Sequence, residues 1–239
     1  SNLRRFSSAC EARCRGMSSV SANARTMDGI YRHQRHIYDL TRRYYLLGRN
    51  DLIAALQPPS GGTVLEIGSG TARNLVLTAE RYRDAHIFGI DISAEMLKSA
   101  EATISKNRLD GRVTLAQADA TRFDPRDLFG VENFDRVFFS YSLSMIPGWE
   151  AALHQAVQVV APGGELHVVD FGQQTALPGW FGRGLKAWLA RFHVSPRANL
   201  RQAMTAIAAD HGAELRFSTL YRDYANIACI RMPQGQSSV

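Results

Sequence analysis

A glycine-containing turn after an apolar run is the part of the sequence whose residue types are best suited to chemistry. The segment TVLEIGSGTARN, residues 63–74, places Gly68, Ser69 and Gly70 directly after a strand-like run. Glycines at such a turn let backbone N–H groups approach a ligand closely at the start of the next helix. The segment lacks the third glycine of a dinucleotide-binding turn and the G-K-[ST] of a phosphate-binding loop, so it indicates a different ligand.

Three acidic residues follow strand-like runs and could hold the rest of that ligand. Glu66 lies just before the glycines, Asp91 ends a second run 21 residues after Gly70, and Asp119 ends a third. The carboxyl ends of parallel strands form the rim where open α/β sheets bind ligands. A carboxylate at Asp91 can accept hydrogen bonds from both hydroxyls of a ribose. Glu66 could instead bond loop amides, and Asp119 could cap a helix.

Such a rim requires alternating strands and helices, and the apolar patterning predicts them. The predicted core strands are 63–67, 85–91, 112–119, 134–140 and 165–171. The predicted helices between them are about 72–82, 93–107, which Ser93 caps, and 149–160. After a helix at about 198–211, two late strands at 213–221 and 224–232 predict an antiparallel hairpin on the sheet edge. The fold class is therefore α/β, with a doubly wound, mostly parallel seven-stranded sheet.

The segments outside this core predict one domain with an N-terminal helical extension. Residues 27–239 form the domain, with helices at 27–58, a ligand-binding core at 62–172 and substrate-side elements at 173–239. In the extension, Gly48 interrupts a helix and Asn50 can cap a second, shorter one. Residues 1–26 hold five arginines and one acid, and we expect a mobile or loosely packed tail. A transit peptide, or an extension upstream of Met17 or Met27, would look similar.

Composition restricts the partners without selecting one. The formal net charge is +6 and the pI is near 9.5, which favours nucleic acid, acidic lipid or a carboxylate substrate. No recognisable RNA-binding motif accompanies the basic residues, so we do not expect a nucleic-acid partner. Cys10, Cys14 and Cys229 suggest neither a disulfide framework nor a metal site, and a reducing cytoplasmic compartment fits them best.

The motifs taken together resemble the class I S-adenosylmethionine-dependent methyltransferases. The matching segments, in the family's order within residues 62–172, are LEIGSGTARN, GIDISAEML, AQADATRF, FDRVFFSYSLSMIP and APGGELHVVDFG. The resemblance implies a Rossmann-like fold, S-adenosylmethionine as cofactor and S-adenosylhomocysteine as product. One departure is Ala72, where many members have glycine, and we expect a helix to accommodate that alanine well.

The resemblance also implies a role for each matched position. Gly68, Ser69 and Gly70 would contact the methionine part of the cofactor, and Asp91 would hold its ribose. Tyr38 and Glu66 are further implied cofactor contacts. Ile92 and Met96 would flank the adenine, Asp119 would meet its exocyclic amine, Ala120 would donate from its backbone, and Ser140 would line the methyl-transfer position.

The end of the fourth strand and the N-terminal segment bear on the methyl acceptor. Residues 140–144 read SYSLS, so the signature of DNA amino-methylases is absent and no strong base is evident. Methylation of an aliphatic amine needs only desolvation and alignment with the sulfonium methyl. The segment IYRHQRHIYDLTRRYYLLGRNDLI resembles the bacterial S-adenosylmethionine:diacylglyceryl-homoserine N-methyltransferases, which add three methyls to make a betaine lipid. That resemblance implies a lipid acceptor with an amino-acid head group, and a partner enzyme that supplies diacylglyceryl-homoserine.

Such an acceptor carries a carboxylate and an amine. Four arginines lie in elements that could reach the rim, namely Arg42, Arg43, Arg49 and Arg73, and we select Arg43 and Arg73 to bind the carboxylate. Tyr141, with Tyr38, Tyr44 and Tyr45, could surround the amine by cation–π contact, although an aromatic stripe at helical spacing more often packs in the core.

The segment LPGWFGRGLKAWLARFHVSPR, from residue 177, mixes aromatic and basic residues. This composition is typical of a helix at a membrane interface, and a helix covering a substrate pocket would look nearly the same. We expect peripheral attachment to an anionic membrane surface, at the inner face of the cytoplasmic membrane. Alternative functions are a phosphatidylethanolamine N-methylase, a quinone C-methylase or a non-catalytic cofactor-binding module.

Overall fold

The computed structural model describes residues 46–191 and 194–235. The predicted tail at 1–26 and most of the predicted N-terminal extension lie outside these ranges. Four residues predicted at the site lie outside them as well, namely Tyr38, Arg43, Tyr44 and Tyr45.

Seven strands form one sheet in the order β3-β2-β1-β4-β5-β7-β6. The strands are β1 Thr63–Ile67, β2 His86–Asp91, β3 Val113–Gln117, β4 Phe134–Ser140, β5 Val160–Phe171, β6 Glu214–Leu220 and β7 Ala225–Arg231. Strands β1 to β5 pair in parallel, while β7 runs antiparallel to both β5 and β6. The predicted mostly parallel sheet with an antiparallel C-terminal hairpin is confirmed.

The described helices alternate with the strands of the parallel part and precede the hairpin. They are α1 Arg49–Ala55, α2 Arg73–Arg81, α3 Ala94–Lys106, α4 Pro125–Phe129, α5 Trp149–Gln158, α6 Gly179–Ala190 and α7 Leu200–Asp210. Ser93 caps α3 as predicted, since its Oγ accepts from the amide of Met96 at 3.3 Å. Strand β5 begins at Val160, five residues before its predicted start, and the β4–β5 register shifts between Phe134 and Arg136.

The start of α1 also differs from the prediction. The residue before the helix is Gly48, with φ of +82°, and no side chain caps it, so Asn50 is not the cap. A Cβ on Gly48 would lie 2.8 Å from Cδ1 of Leu220, which shows how closely this turn lies against the hairpin. Glycine suits this position because the backbone is left-handed and a side chain would displace the end of Leu220.

The core has two parts, one on each face of the sheet. One contains Leu52 of α1, Leu75 of α2 and Ile104 of α3. The other contains Leu153 of α5 and Met204 of α7. Helices therefore cover both faces, which leaves the carboxyl ends of β1 to β4 as the rim on which the predicted site residues meet.

Candidate active site

The turn between β1 and α2 is held by backbone hydrogen bonds to β2. The amides of Gly68 and Ser69 both donate to the carbonyl of Ile90, at 2.9 and 3.0 Å. Gly68 has φ of +79°, and a Cβ there would lie 2.6 Å from Cβ of Ser142. The turn is thus pressed between the end of β2 and the loop after β4, and only glycine fits at position 68.

Ala72 has an unfavourable backbone conformation. Its φ is +64°, its side chain is fully buried, and it lies before the first residue of α2 rather than within the helix. The expectation that a helix accommodates this alanine is therefore wrong, since the position is left-handed. A non-glycine residue there costs about 1 kcal/mol or more, because its Cβ crowds the neighbouring carbonyl oxygen.

Asp91 connects the glycine turn to the start of α3. Its Oδ2 accepts from the amide of Gly70 at 2.8 Å, and its Oδ1 accepts from the amide of Ser93 at 2.9 Å. A carboxylate oxygen can accept more than one hydrogen bond, so these contacts leave acceptor capacity for a ribose. The ribose-binding role of Asp91 stays a prediction, and the structure adds a second role in holding the turn.

Three of the residues predicted around the adenine lie just after the ends of β2 and β3, and the fourth, Met96, lies in α3. Oδ1 of Asp119 accepts from the amide and the hydroxyl of Thr121, at 2.9 and 2.8 Å, which forms a local turn. Met96 is buried with 2% exposure, while Ile92 and Ala120 are half-buried. These four residues do not line the cleft described next, and their adenine contacts stay predictions.

A cleft of about 550 Å³ opens beside the glycine turn. Five of the predicted site residues line it, namely Glu66, Gly68, Ser69, Arg73 and Ser140. Ser69 and Ser140 are buried, and within residues 46–191 and 194–235 their hydroxyl oxygens make no hydrogen bond. Because a buried hydroxyl without a partner is costly, these two groups indicate that a polar ligand binds here.

Glu66 and Asn74 meet on the wall of this cleft. Glu66 is 1% exposed, and its Oε1 accepts from Nδ2 of Asn74 at 2.6 Å. The contact joins the end of β1 to the first turn of α2, so it fixes the distance between the two elements that carry the glycine turn.

Two arginines reach the same cleft from different elements. Arg49 is the first residue of α1 and is 8% exposed, with Nε and Nη2 each 3.4 Å from Oδ1 of Asn50. Arg73 is the first residue of α2 and is exposed. Of the four arginines that could reach the rim, the structure thus brings together Arg49 and Arg73, while Arg43 lies outside the described residues.

Tyr141 belongs to the core and is not among the residues that line the cleft. Its backbone has φ of +58°, its side chain is 1% exposed, and its hydroxyl donates to the carbonyl of Leu47. Its ring meets that of Phe171 edge-on, with 4.6 Å between centroids. Burial raises the pKa of this phenol, so Tyr141 stays protonated. This geometry favours a packing role, and contact between Tyr141 and the acceptor stays a prediction.

Two charged residues that the sequence did not single out hold the loop after β4. Oδ2 of Asp170 accepts from the amide of Ser144 at 2.9 Å, and its Oδ1 accepts from the amide of Phe171 at 2.7 Å. The guanidinium of Arg197 donates to the carbonyls of Leu143 and Ile146, at 3.0 and 2.8 Å. Asp170 could have been found as an acid near the end of a strand, whereas nothing in the sequence connects Arg197 to this loop.

The cofactor class follows from the fold, the site and a family match. Residues 64–164 match the model of the family described as Methyltransferase domain. The matched segment is therefore a methyltransferase domain that uses S-adenosylmethionine, and the strand order of the sheet agrees with this match. The cleft beside the glycine turn is therefore the candidate active site of that domain.

Known proteins similar to this chain act on different acceptors. A phosphatidylethanolamine N-methyltransferase from Cereibacter sphaeroides is 34% identical over 110 residues, which cover 46% of this chain and 51% of the relative. A demethylmenaquinone methyltransferase from Listeria monocytogenes is 28% identical over 133 residues, which cover 55% of this chain and 54% of the relative. The chain thus spans about half the length of these relatives.

Solved structures agree on the fold. A phosphoethanolamine N-methyltransferase 2 from Haemonchus contortus, solved with S-adenosylmethionine, has a TM-score of 0.63 at 18% identity. The similarity covers 78% of this chain and 52% of that one. At this identity the likeness concerns the fold, and it leaves the acceptor open.

Proposed function

We propose that the protein is an N-methyltransferase that converts diacylglyceryl-homoserine into its trimethylated betaine lipid, with S-adenosylmethionine as methyl donor. The observation that carries this proposal is the position of Arg49 and Arg73 on the cleft that also contains the glycine turn and Ser140. Two guanidinium groups beside a methyl-transfer position suit an acceptor that carries a carboxylate near its amine.

The reaction needs alignment more than acid–base chemistry. When bound, S-adenosylmethionine would supply an electrophilic methyl group to the neutral amine. The first and second transfers would each release one proton from the nitrogen to solvent, and the third would leave a permanently charged quaternary nitrogen. The protein contributes by excluding water and holding the nitrogen in line with the methyl group. The described cleft residues include two carboxylates, the buried Glu66, which is bonded to Asn74, and the exposed Glu80. Neither is needed as a strong base for this step.

Arg49 is better placed than Arg73 to bind the acceptor's carboxylate. It is 8% exposed, whereas Arg73 is exposed, and a charged hydrogen bond is stronger where water is excluded. Arg43, with Tyr38, Tyr44 and Tyr45, remains part of the proposal as further acceptor or cofactor contacts from the N-terminal segment.

A second candidate acceptor is phosphatidylethanolamine. The 34% identity to a phosphatidylethanolamine N-methyltransferase favours it, although the match covers about half of each chain. A phosphate could use the same guanidinium groups as a carboxylate, so the cleft by itself does not separate the two lipids. Quinone methylation is less well supported, since it forms a carbon–carbon bond and then requires a base to remove the ring proton.

The attachment to a membrane is part of the same proposal. No helix within residues 46–191 and 194–235 has both the length and the apolar character needed to cross a membrane. In α6, Leu189 is buried and Leu185 and Trp188 pack against the core, while Trp180 is 72% exposed. We therefore place the peripheral contact at the N-terminal end of α6, where it would bring the cleft to an anionic cytoplasmic surface and to the enzyme that makes the acceptor.

Initial rates on defined lipids test the acceptor. Purified protein with labelled cofactor should methylate diacylglyceryl-homoserine in detergent micelles faster than phosphatidylethanolamine. Arg49→Ala should lower that rate at least about thirtyfold, since loss of a buried charged pair typically costs 2–5 kcal/mol. Arg73→Ala should lower it less. Arg81→Ala, at the far end of α2, is the matched control and should leave the rate unchanged.

Two results would overturn the proposal. Faster methylation of phosphatidylethanolamine would establish the second candidate instead. Cofactor binding without turnover on either lipid, measured by calorimetry on the same preparation, would identify a non-catalytic binding module.

A further inference from the structure

We propose that Glu165, His167 and Cys229 form a binding site for a divalent transition-metal ion of the zinc type, at the end of the sheet opposite the cofactor cleft. The proposal is independent of the acceptor, since these residues lie near the amino end of the parallel part of β5. No sequence motif indicates this site, because its third ligand lies 62 residues away from the second.

The strand pairing brings the three side chains to one face of the sheet. Glu165 and His167 are two residues apart in β5 and therefore point the same way. Cys229 of β7 lies directly opposite His167 in the antiparallel register. Glu165 and His167 are buried and Cys229 is half-buried, so this carboxylate, imidazole and thiol are fixed in place by the sheet.

Their ligand atoms have the separations of a coordination shell. Oε2 of Glu165 lies 2.9 Å from Nε2 of His167, which lies 3.9 Å from Sγ of Cys229, and all three atoms are within 4.8 Å of one another. The usual zinc bond lengths in a tetrahedral shell separate ligand atoms by roughly 3.4–3.6 Å. The two measured distances bracket that range, so small side-chain rotations would complete the geometry.

The same ring nitrogen of His167 faces both neighbours. A relay from carboxylate through imidazole to thiol requires the carboxylate at one ring nitrogen and the thiol at the other. Here Oε2 of Glu165 and Sγ of Cys229 both lie beside Nε2. This convergence suits three ligands around one ion and does not suit an activated cysteine nucleophile.

The arginines around Glu165 leave one of its oxygens for the ion. Nε and Nη2 of Arg231 lie 2.7 and 2.6 Å from Oε1, which orients the carboxylate as an outer hydrogen-bond partner does in metal sites. Nε of Arg136 lies 3.5 Å from Oε2 but donates to the carbonyl of Leu56. The positive charge of both guanidinium groups weakens cation binding.

The site has room for a fourth ligand, but metal binding requires the Cys229 thiol to lose its proton. A cleft of about 380 Å³, lined in part by Gln57, Arg216 and Ser218, adjoins the three residues and leaves room for a water as fourth ligand. Burial raises the pKa of the Cys229 thiol to about 12, so its proton must leave as the ion binds. We therefore expect a weaker site than the four-ligand structural zinc sites of other proteins.

Titration of the chelator-treated protein with Co²⁺ alone tests the site. We expect one equivalent to produce the near-ultraviolet absorption of a thiolate–cobalt bond. Cys229→Ser should abolish that absorption, and His167→Gln should lower the affinity at least tenfold. The double variant Cys10→Ser, Cys14→Ser should behave like the unaltered protein, which separates this site from the other two cysteines.

The outcomes are decisive because folding is measured separately. Each variant's affinity for S-adenosylhomocysteine, which binds at the opposite end of the sheet, should stay unchanged and shows that the variant is folded. Absence of the thiolate–cobalt absorption in the unaltered protein, or its persistence in Cys229→Ser, would overturn the proposal. The three residues would then serve as an ion-pair cluster that holds β7 against β5.

Discussion

Asp91 and Arg49 each combine a structural role with a predicted role in ligand binding. Asp91, predicted to bind the ribose, also accepts from the amides of Gly70 and Ser93, and so fixes the turn before any ligand arrives. Arg49 begins α1 and at the same time supplies a buried positive charge to the cleft. A substitution at such a position changes both ligand contacts and the shape of the site.

Asp91→Ala should weaken S-adenosylmethionine binding by about 1.5–3 kcal/mol, the range for a lost hydrogen bond to a charged group. Calorimetry on folded protein measures this loss. Asp84→Ala is a matched control, because Asp84 accepts in a similar way from Ser60 and the amide of Gly61, before β2 rather than after it. Equal cofactor affinities in the two variants would show that Asp91 does not contact the cofactor.

Gly68→Ala should destabilise the protein more than Gly61→Ala does. Both positions have positive φ and both alanines incur about 1 kcal/mol of backbone strain. At Gly61 a Cβ would meet nothing within 4 Å, whereas at Gly68 it would also meet Cβ of Ser142 at 2.6 Å. Urea denaturation gives the two free energies of unfolding. Equal losses, or no recovery when Ser142→Gly is added to Gly68→Ala, would contradict the proposed crowding.

At the scale of elements, the loop after β4 is held from both sides. Asp170 of β5 accepts from the amide of Ser144, and Arg197, just before α7, donates to carbonyls of the same loop. Nothing in the local sequence of the loop specifies its position. The contacts from β5 and from the segment before α7 therefore set one wall next to Ser140.

The stability of this arrangement should depend on pH through Asp170. Burial raises the pKa of its carboxyl above the ordinary 3.8, although the amides of Ser144 and Phe171 oppose the shift. The folded state therefore favours the protonated form of Asp170. The resulting contribution to the free energy of unfolding is fully present below about pH 3.8, and it is lost as the pH rises through the pKa of the folded state. Urea unfolding of the unaltered protein and of Asp170→Asn at several pH values measures this contribution. The free energy of unfolding of the unaltered protein, relative to that of the variant, should fall as the pH rises above about 3.8, and a constant or rising difference would disprove the assignment.

The whole molecule combines a net charge of +6 with an exposed tryptophan at one end of α6. Positive charge attracts the protein to an anionic surface, and an indole ring anchors it in the interface. The composition of the whole segment from residue 177 favours a membrane interface. In the structure Trp188 and Leu189 pack against the core, so only the remaining part of α6 can face a membrane.

Trp180→Ser should reduce sedimentation with anionic vesicles severalfold without lowering thermal stability. Trp188→Ser is the matched comparison, and it should lower thermal stability because its side chain packs against the core. Binding of the unaltered protein should weaken as salt increases. If Trp180→Ser still sediments like the unaltered protein, α6 does not provide the membrane contact.

Local patterns in the sequence predicted most of the described strands and helices and the fold class, and a family resemblance predicted the cofactor. Apolar runs of strand length alternate with amphipathic helices. Because this periodicity is local, it predicts strands and helices without knowledge of the segments that pack against them. The positions of Gly68 and Ser93 were likewise readable, because a left-handed turn and a helix cap each demand particular residue types. The predicted cap at Asn50 and the expected helical conformation of Ala72 were wrong, since a backbone conformation depends on what packs against it.

Only the tertiary structure decided which side chains meet. Arg49 and Arg73 both line the cleft, while Tyr141, next to Ser140 in the chain, lies in the core and donates to the carbonyl of Leu47. His167 likewise meets Cys229 across two strands. Side-chain direction follows from strand register and helix rotation, and both are set by packing between segments far apart in the chain, which no local pattern of residues records.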